Sequence, residues 1–153
     1  QIDACAQIMV DTLRETAKEL DFKVYAYVVM PEHVHIVLHP QREEYFVEGI
    51  LHFMKRRASS RILMHCRRAG HPVLKELVHV RQNGMVEPRV WLRGGGYDRN
   101  LFVDRTIYNV IDYIHLNPVR RGLCERPSAW PWSSAKAYEE MDKSQIDFYD
   151  PKA

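Results

Sequence analysis

Residues 27–40, YVVMPEHVHIVLHP, decide how the first half of the chain is built. Pro31-Glu32 interrupts an otherwise apolar run. Proline cannot join a central ladder and pre-sets a turn. The stretch therefore predicts two strands, 22–29 and 33–39, paired antiparallel across a short connection. FKVYAYVV, residues 22–29, has the β-branched and aromatic content that suits a strand. Side chains alternate along a strand. Val34, Ile36 and Leu38 are thus expected in the core, with His33, His35, Val37 and His39 on the other face. His33 and His35 stand side by side. Two neutral imidazoles on a rigid strand can share one divalent cation, although a further ligand must come from elsewhere. A polar strand face under a helix gives the same pattern, and for a lone pair it is the commoner reason.

Outward from this hairpin, residues 4–20 place Ile8, Val10, Leu13, Ala17 and Leu20 near helical spacing. Residues 43–68 read as a long helix with a basic second half, ended by Gly70 and Pro72. VLKELVHV and VEPRVWLR, split by Asn83-Gly84, predict a second hairpin. Gly94, Gly95 and Gly96 follow, where backbone is flexible or closely approached. Residues 104–120 form a further helix with Asp104 expected as N-cap, and Pro118 fits only near its end. From about residue 127 a tail carries Trp130, Pro131 and Trp132, with a short helix near 133–141. The order predicts an α+β fold, a mainly antiparallel sheet sandwiched by helices, in one domain spanning 1–153. Nothing in this order pairs the outer edge of the first hairpin, which suggests a strand ahead of residue 4 that the sequence does not contain.

A chain of 153 residues with 46% hydrophobic and 27% charged content suits a compact globular domain. No run approaches the roughly 18 apolar residues of a membrane span, and no secretory signal opens the chain. Cys5, Cys66 and Cys124 lack CxxC spacing, which argues against a thiolate zinc site or a disulfide framework and for a reducing cytosol. The net charge of +2 hides a segregation: residues 52–100 carry eleven bases and three acids. Such a segment suits a polyanionic partner, although a solvated helix face would look the same.

The helix at 104–120 changes the weight of the histidine pair. At about 100° per residue, Thr106, Asn109, Tyr113 and Asn117 form one polar stripe beside a buried face of Ile107, Val110, Ile111 and Ile114. Tyr113 and Asn117 are four apart, so their side chains meet. A phenol and an amide there want partners, and the two imidazoles can supply them through a shared metal.

The stretches VVMPEHVHIVL, VWLRGGGYD, YIHLNPVRRGL and WPWSSAKAY occur in an order that resembles the REP-associated tyrosine transposases of the single-tyrosine HUH superfamily. They span residues 27–138. The resemblance implies a ferredoxin-like or RRM-like HUH endonuclease fold. It implies His33, His35 and Asn117 as ligands of Mg²⁺ or Mn²⁺, and Tyr113 as nucleophile. GGGYD is more glycine-rich than that pattern, and the family's first strand is missing from the sequence. The implied reaction is transesterification of single-stranded DNA folded as repeated palindromic hairpins, through a 5′-phosphotyrosine. No GxxxxGK[ST] loop is present, in keeping with energy held in that linkage. A phenol, with pKa about 10, must lose its proton near the transition state. No general base is evident, because Asp112 and His115 project away from Tyr113. Glu32 reads first as a turn acid and second as a partner of a ligand histidine.

Lys55, Arg56, Arg57, Arg61, Arg67 and Arg68 are expected to contact phosphates. Arg120 and Arg121 join them beside the catalytic helix end. Tyr97, Trp91 and Trp132 are candidates for base stacking, with core packing the stronger reading for both tryptophans. A transposase-derived protein that binds hairpin DNA without cutting it would share the basic helix, but gives no reason for Tyr113 and Asn117 on one stripe. A histidine-triad hydrolase needs a third imidazole where Val37 stands. A cytoplasmic, nucleoid-associated monomer or homodimer is expected.

Overall fold

The structure is a computed structural model that describes residues 2–140 except 81, 93–95 and 97. Among the described residues, four α-helices and two small antiparallel sheets follow in the order α1 (Ile2–Leu20), β1 (Phe22–Val29), β2 (Val34–Pro40), α2 (Val47–Arg68), β3 (Val78–Val80), β4 (Val86–Pro88), α3 (Asp104–Arg120) and α4 (Ala135–Glu140). Mixed helix and antiparallel sheet is the class the sequence predicts. Two compact units are interleaved along the chain, 1–21 with 43–97 and 22–42 with 98–153.

The first unit is built on α1 and α2. Ala6, Met9, Val10 and Leu13 are buried on α1, and Ile50, Met54, Ala58, Ile62 and Cys66 on α2. The α2 stripe recurs every four residues, the spacing that keeps side chains on one helical face. Sequence expectation started this helix at 43, whereas it starts at Val47 behind Phe46, which offers no side-chain cap. Its end is a Schellman turn: Gly70 takes φ +59°, its N–H donates to Arg67 O, and His71 N–H donates to Cys66 O. Cys5 and Cys66, remote in sequence, meet with sulfurs 3.9 Å apart, and all three cysteines are free. Burial, then the neighbouring Cys66, push the Cys5 thiol up to about 11. It therefore stays protonated at neutral pH.

The β3–β4 hairpin forms around Asn83-Gly84, with Gly84 at φ +77°. Its strands are three residues long, and residues 81–85 separate them. The two-residue turn expected from Asn-Gly is therefore replaced by a longer one, in which Asn83 Oδ1 accepts from Met85 N–H. Gly94 and Gly95 lie outside the described residues.

The second unit holds the β1–β2 hairpin, α3 and the tail. Val29 pairs with Val34, and Met30 N–H donates to His33 O at 2.8 Å, so Pro31-Glu32 is a two-residue loop. The core side of β2 is opposite to the sequence expectation. Val37 is buried together with Ala26, Val28, Met30, Ile111 and Ile114, whereas Val34, Ile36 and Leu38 are only half-buried. The reason is α3, whose apolar stripe covers the histidine face. Ile107 and Val110 pack on the same cluster, as the stripe predicts.

A second correction concerns the N-terminus of α3. Val103 is the N-cap, with no side-chain cap, and Asp104 is the first helical residue. Pro118 sits in the last turn, as expected, and is fully buried.

The outer edge of β1 is not left open. Val29 N–H donates to Trp132 O at 2.8 Å, Ser134 N–H donates to Tyr27 O at 3.0 Å, and Val28 faces Ser133 in a bridge. Trp130 Nε1 donates to Val29 O, and Tyr138 donates its hydroxyl hydrogen to Tyr25 O beside a bulge in β1. The tail thus takes the edge for which the sequence offered no partner. Buried backbone polar groups need such partners.

Candidate functional site

The β1–β2 hairpin and α3 bring together three of the four residues proposed for chemistry. His33 and His35 lie edge to face with ring centroids 4.8 Å apart. His35 in turn meets the Tyr113 ring at 6.1 Å, again edge to face. His35 pairs with Val28, a fully buried position, so its backbone is fixed by the core. Burial first, and the neighbouring His33 second, lower the pKa of His35. It is therefore neutral at physiological pH, the form that ligates a metal. Tyr113 is 49% exposed, so its hydroxyl is open to a polymeric substrate.

Asn117 is 9% exposed and lies one turn beyond Tyr113. Its Nδ2 donates to the Tyr113 carbonyl at 3.1 Å. With the nitrogen used inside the helix, the carbonyl oxygen is the atom left to face a ligand. Among the described contacts, no hydrogen bond joins Asn117 directly to either imidazole.

The donor set suits a divalent metal. Two imidazole nitrogens and an amide oxygen are hard to intermediate ligands, and substrate phosphate oxygens complete such a sphere for Mg²⁺ or Mn²⁺. Among the described residues no cluster of three His, Cys, Asp or Glu provides an alternative site.

The arginines divide sharply. Arg120 places its guanidinium 5.0 Å from the centre of the Tyr113 ring, a cation–π contact. Arg121 Nη1 lies 2.5 Å from Glu32 Oε1, and the same oxygen is 3.5 Å from His33 Nδ1. On α2, Arg57 pairs with Glu19 at 2.7 Å and Arg61 with Glu15 at 2.6 Å, both acids of α1. Arg56 and Arg57 flank the Phe53 ring. Lys55 lies near the Trp91 ring and its carbonyl accepts from Trp91 Nε1. Arg67 and Arg68 occupy the last turn of α2. Trp91 and Trp132 are half-buried, the latter edge to face with Trp130. Tyr97 lies outside the described residues.

His115, expected to point away from Tyr113, does so and has a structural task. It is buried, its Nε2 is 2.8 Å from Ser134 Oγ, and its ring meets Tyr138. Ser134 Oγ also accepts from Tyr27 N–H. Burial lowers the His115 pKa, against a smaller opposing pull from Asp112. His39 stacks on Tyr25 and bonds Gln41, remote from the site. Sequence reasoning ranked the Glu32–His33 contact second to a plain turn acid and missed Ser134. Adjacency to a ligand candidate was the signal for Glu32, and for Ser134 there was none.

The hairpin–helix arrangement sets a tyrosine of α3 against a His-hydrophobic-His strand. A family profile described as "Transposase IS200 like" matches residues 2–116. The chain belongs to that family, and the resemblance read from its motifs is borne out. A curated protein of Haemophilus influenzae (strain ATCC 51907 / DSM 11121 / KW20 / Rd), named provisionally as a REP-associated tyrosine transposase, is 25% identical over 122 residues. That alignment covers 79% of this chain and 63% of the relative's length. A solved REP-associated tyrosine transposase bound to a REP hairpin superposes with TM-score 0.57 at 20% identity, over 96% of this chain and 74% of that one. It shares the fold. Among the described residues, no helix is long and apolar enough to cross a membrane.

Proposed function

We propose that the protein cleaves and rejoins single-stranded DNA at hairpin-forming palindromic elements, with Tyr113 as nucleophile. The observation that carries this reading is the contact chain His33–His35–Tyr113, built from two elements remote in sequence. Family membership supports transposition chemistry, and the hairpin bound by the structural relative supports the substrate class.

In this reading the Tyr113 oxygen attacks phosphorus. The bond from phosphorus to the 3′ oxygen breaks, leaving a 5′-phosphotyrosine and a free 3′-OH. The phenol loses its proton and the leaving oxygen gains one. Arg120 beside the ring sets a positive charge near where the phosphate approaches, favouring the charge that develops on it. His33, His35 and the Asn117 oxygen would hold Mg²⁺ or Mn²⁺, which when bound polarises the phosphate. Attack by a second 3′-OH reverses the step and rejoins strands without ATP.

The test is a denaturing gel of protein mixed with hairpin-bearing single-stranded DNA and Mn²⁺. A covalent adduct is expected that disappears in Tyr113→Phe and with chelator. Cleavage without an adduct would mean that water attacks. DNA binding with neither cleavage nor adduct would make the protein a hairpin-binding module.

A further inference from the structure

We infer that Glu32 and Arg121 form a clasp that positions His33 and ties the hairpin loop to the end of the helix bearing Tyr113. This deepens the reading above and rests on it. Glu32 is the second residue of the two-residue loop closed by the bond from Met30 N–H to His33 O. Such a loop leaves little backbone freedom, so the carboxylate leaves from a defined point. One oxygen, Oε1, lies 2.5 Å from Arg121 Nη1 and 3.5 Å from His33 Nδ1. Arg121 also leaves from a defined point. It is the C-cap of α3, its N–H donates to Asn117 O, and a Schellman turn follows with Gly122 at φ +67° and Leu123 N–H on Pro118 O. The turn that Arg121 closes is the one that begins at Asn117.

A carboxylate at Nδ1 selects the tautomer with hydrogen on Nδ1 and the lone pair on Nε2, as outer carboxylates do for metal-bound histidines. Arg121, paired to the same oxygen, keeps that carboxylate aimed. All three side chains are partly exposed, at 48%, 53% and 34%. An exposed ion pair adds little to stability. A purely structural role would therefore leave almost no trace, whereas a positioning role shows in the imidazole and in metal affinity.

The experiment compares the full chain with Glu32→Gln, Arg121→Gln and the double variant. Nitrogen-15 spectra of the His33 ring in metal-free protein read the tautomer, and calorimetry with Mn²⁺ alone reads affinity. The wild type is expected to hold the Nδ1-H form, and Glu32→Gln to shift it toward Nε2-H. Mn²⁺ affinity should fall about tenfold in Glu32→Gln, the lower end for an outer-shell partner. Arg121→Gln should give a smaller loss in the same direction, and the double variant no more than Glu32→Gln. An unchanged tautomer in Glu32→Gln, or additive losses in the double variant, would overturn the clasp. The adduct assay with Tyr113→Phe judges the catalytic reading separately, and the metal-free tautomer judges the clasp even if that reading fails.

Discussion

α2 and α3 end alike and do different things. Each closes with two arginines and a left-handed glycine, Arg67-Arg68 before Gly70 and Arg120-Arg121 before Gly122. The buried face of α2 is apolar throughout. That of α3 admits His115 and Asn117 among its isoleucines. Polar groups are costly to bury unless they are bonded, and on α3 each has a partner. The helix with the larger formal charge packs through an apolar face, and the helix with buried polar groups is the one to which the proposed function assigns the chemistry. Two of the α2 arginines are already committed to α1 acids. Segment charge in the sequence overstates what is left for a polyanionic partner.

The largest effect of substitution is expected on the side of the hairpin and α3. His35→Ala should lower cleavage at least about a hundredfold, from several kcal/mol of lost charge stabilisation, while hairpin DNA affinity by gel shift changes only a few-fold. Arg120→Ala should cost roughly ten- to a hundredfold in cleavage rate under saturating DNA. If either arginine pair proves interchangeable in this assay, the contrast between the helices fails.

Ser134→Ala should cost about 1–2 kcal/mol in urea unfolding, because Tyr27 N–H and His115 both lose a partner. Acid should act through the same place. His115 and His35 have pKa values lowered in the folded state. The unfolded chain therefore binds more protons, and stability is full above about pH 6.5 and falls as pH drops below it. Unfolding midpoints measured from pH 7.5 to 5 should fall, and fall less steeply in His115→Gln.

Smaller effects belong to α2. Arg67→Ala with Arg68→Ala should weaken single-stranded DNA binding a few-fold. The log–log salt slope should become shallower by about 0.7 for each phosphate that is no longer neutralised. Arg57→Ala should leave that slope unchanged and cost only roughly 0.5 kcal/mol of stability, the scale of a partly exposed ion pair. A slope change as large as that for Arg67 would show that its pairing with Glu19 yields to DNA.

What could be read from the chain follows the strength of local patterning. The strand at 22–29 and the helix at 104–120 match their observed spans because β-branched alternation and a clean apolar stripe are short-range signals. The pairing of Tyr113 with the histidines followed from the same stripe. The core-facing side of β2 did not, because Val34, Ile36 and Leu38 are as apolar as Val37, and only the arrival of α3 decides between them. Asn-Gly at 83–84 promised the tighter hairpin, yet Pro31-Glu32 makes it. Burial on both strands, rather than turn chemistry alone, fixes the register there. The strand-like role of residues 132–134 was illegible, since Trp-Ser-Ser has no period and its partner lies more than a hundred positions earlier.

That last pairing has a consequence for how the molecule is made. Tyr27 is bonded to Ser134 across 107 positions, so the hairpin bearing both imidazoles is synthesised long before its outer flank can be covered. Contacts between such remote positions form late and slowly. A ribosome-bound chain that has not yet exposed residues 132–134 carries an unfinished sheet, and the strand cleavage proposed for the hairpin face must wait for those residues.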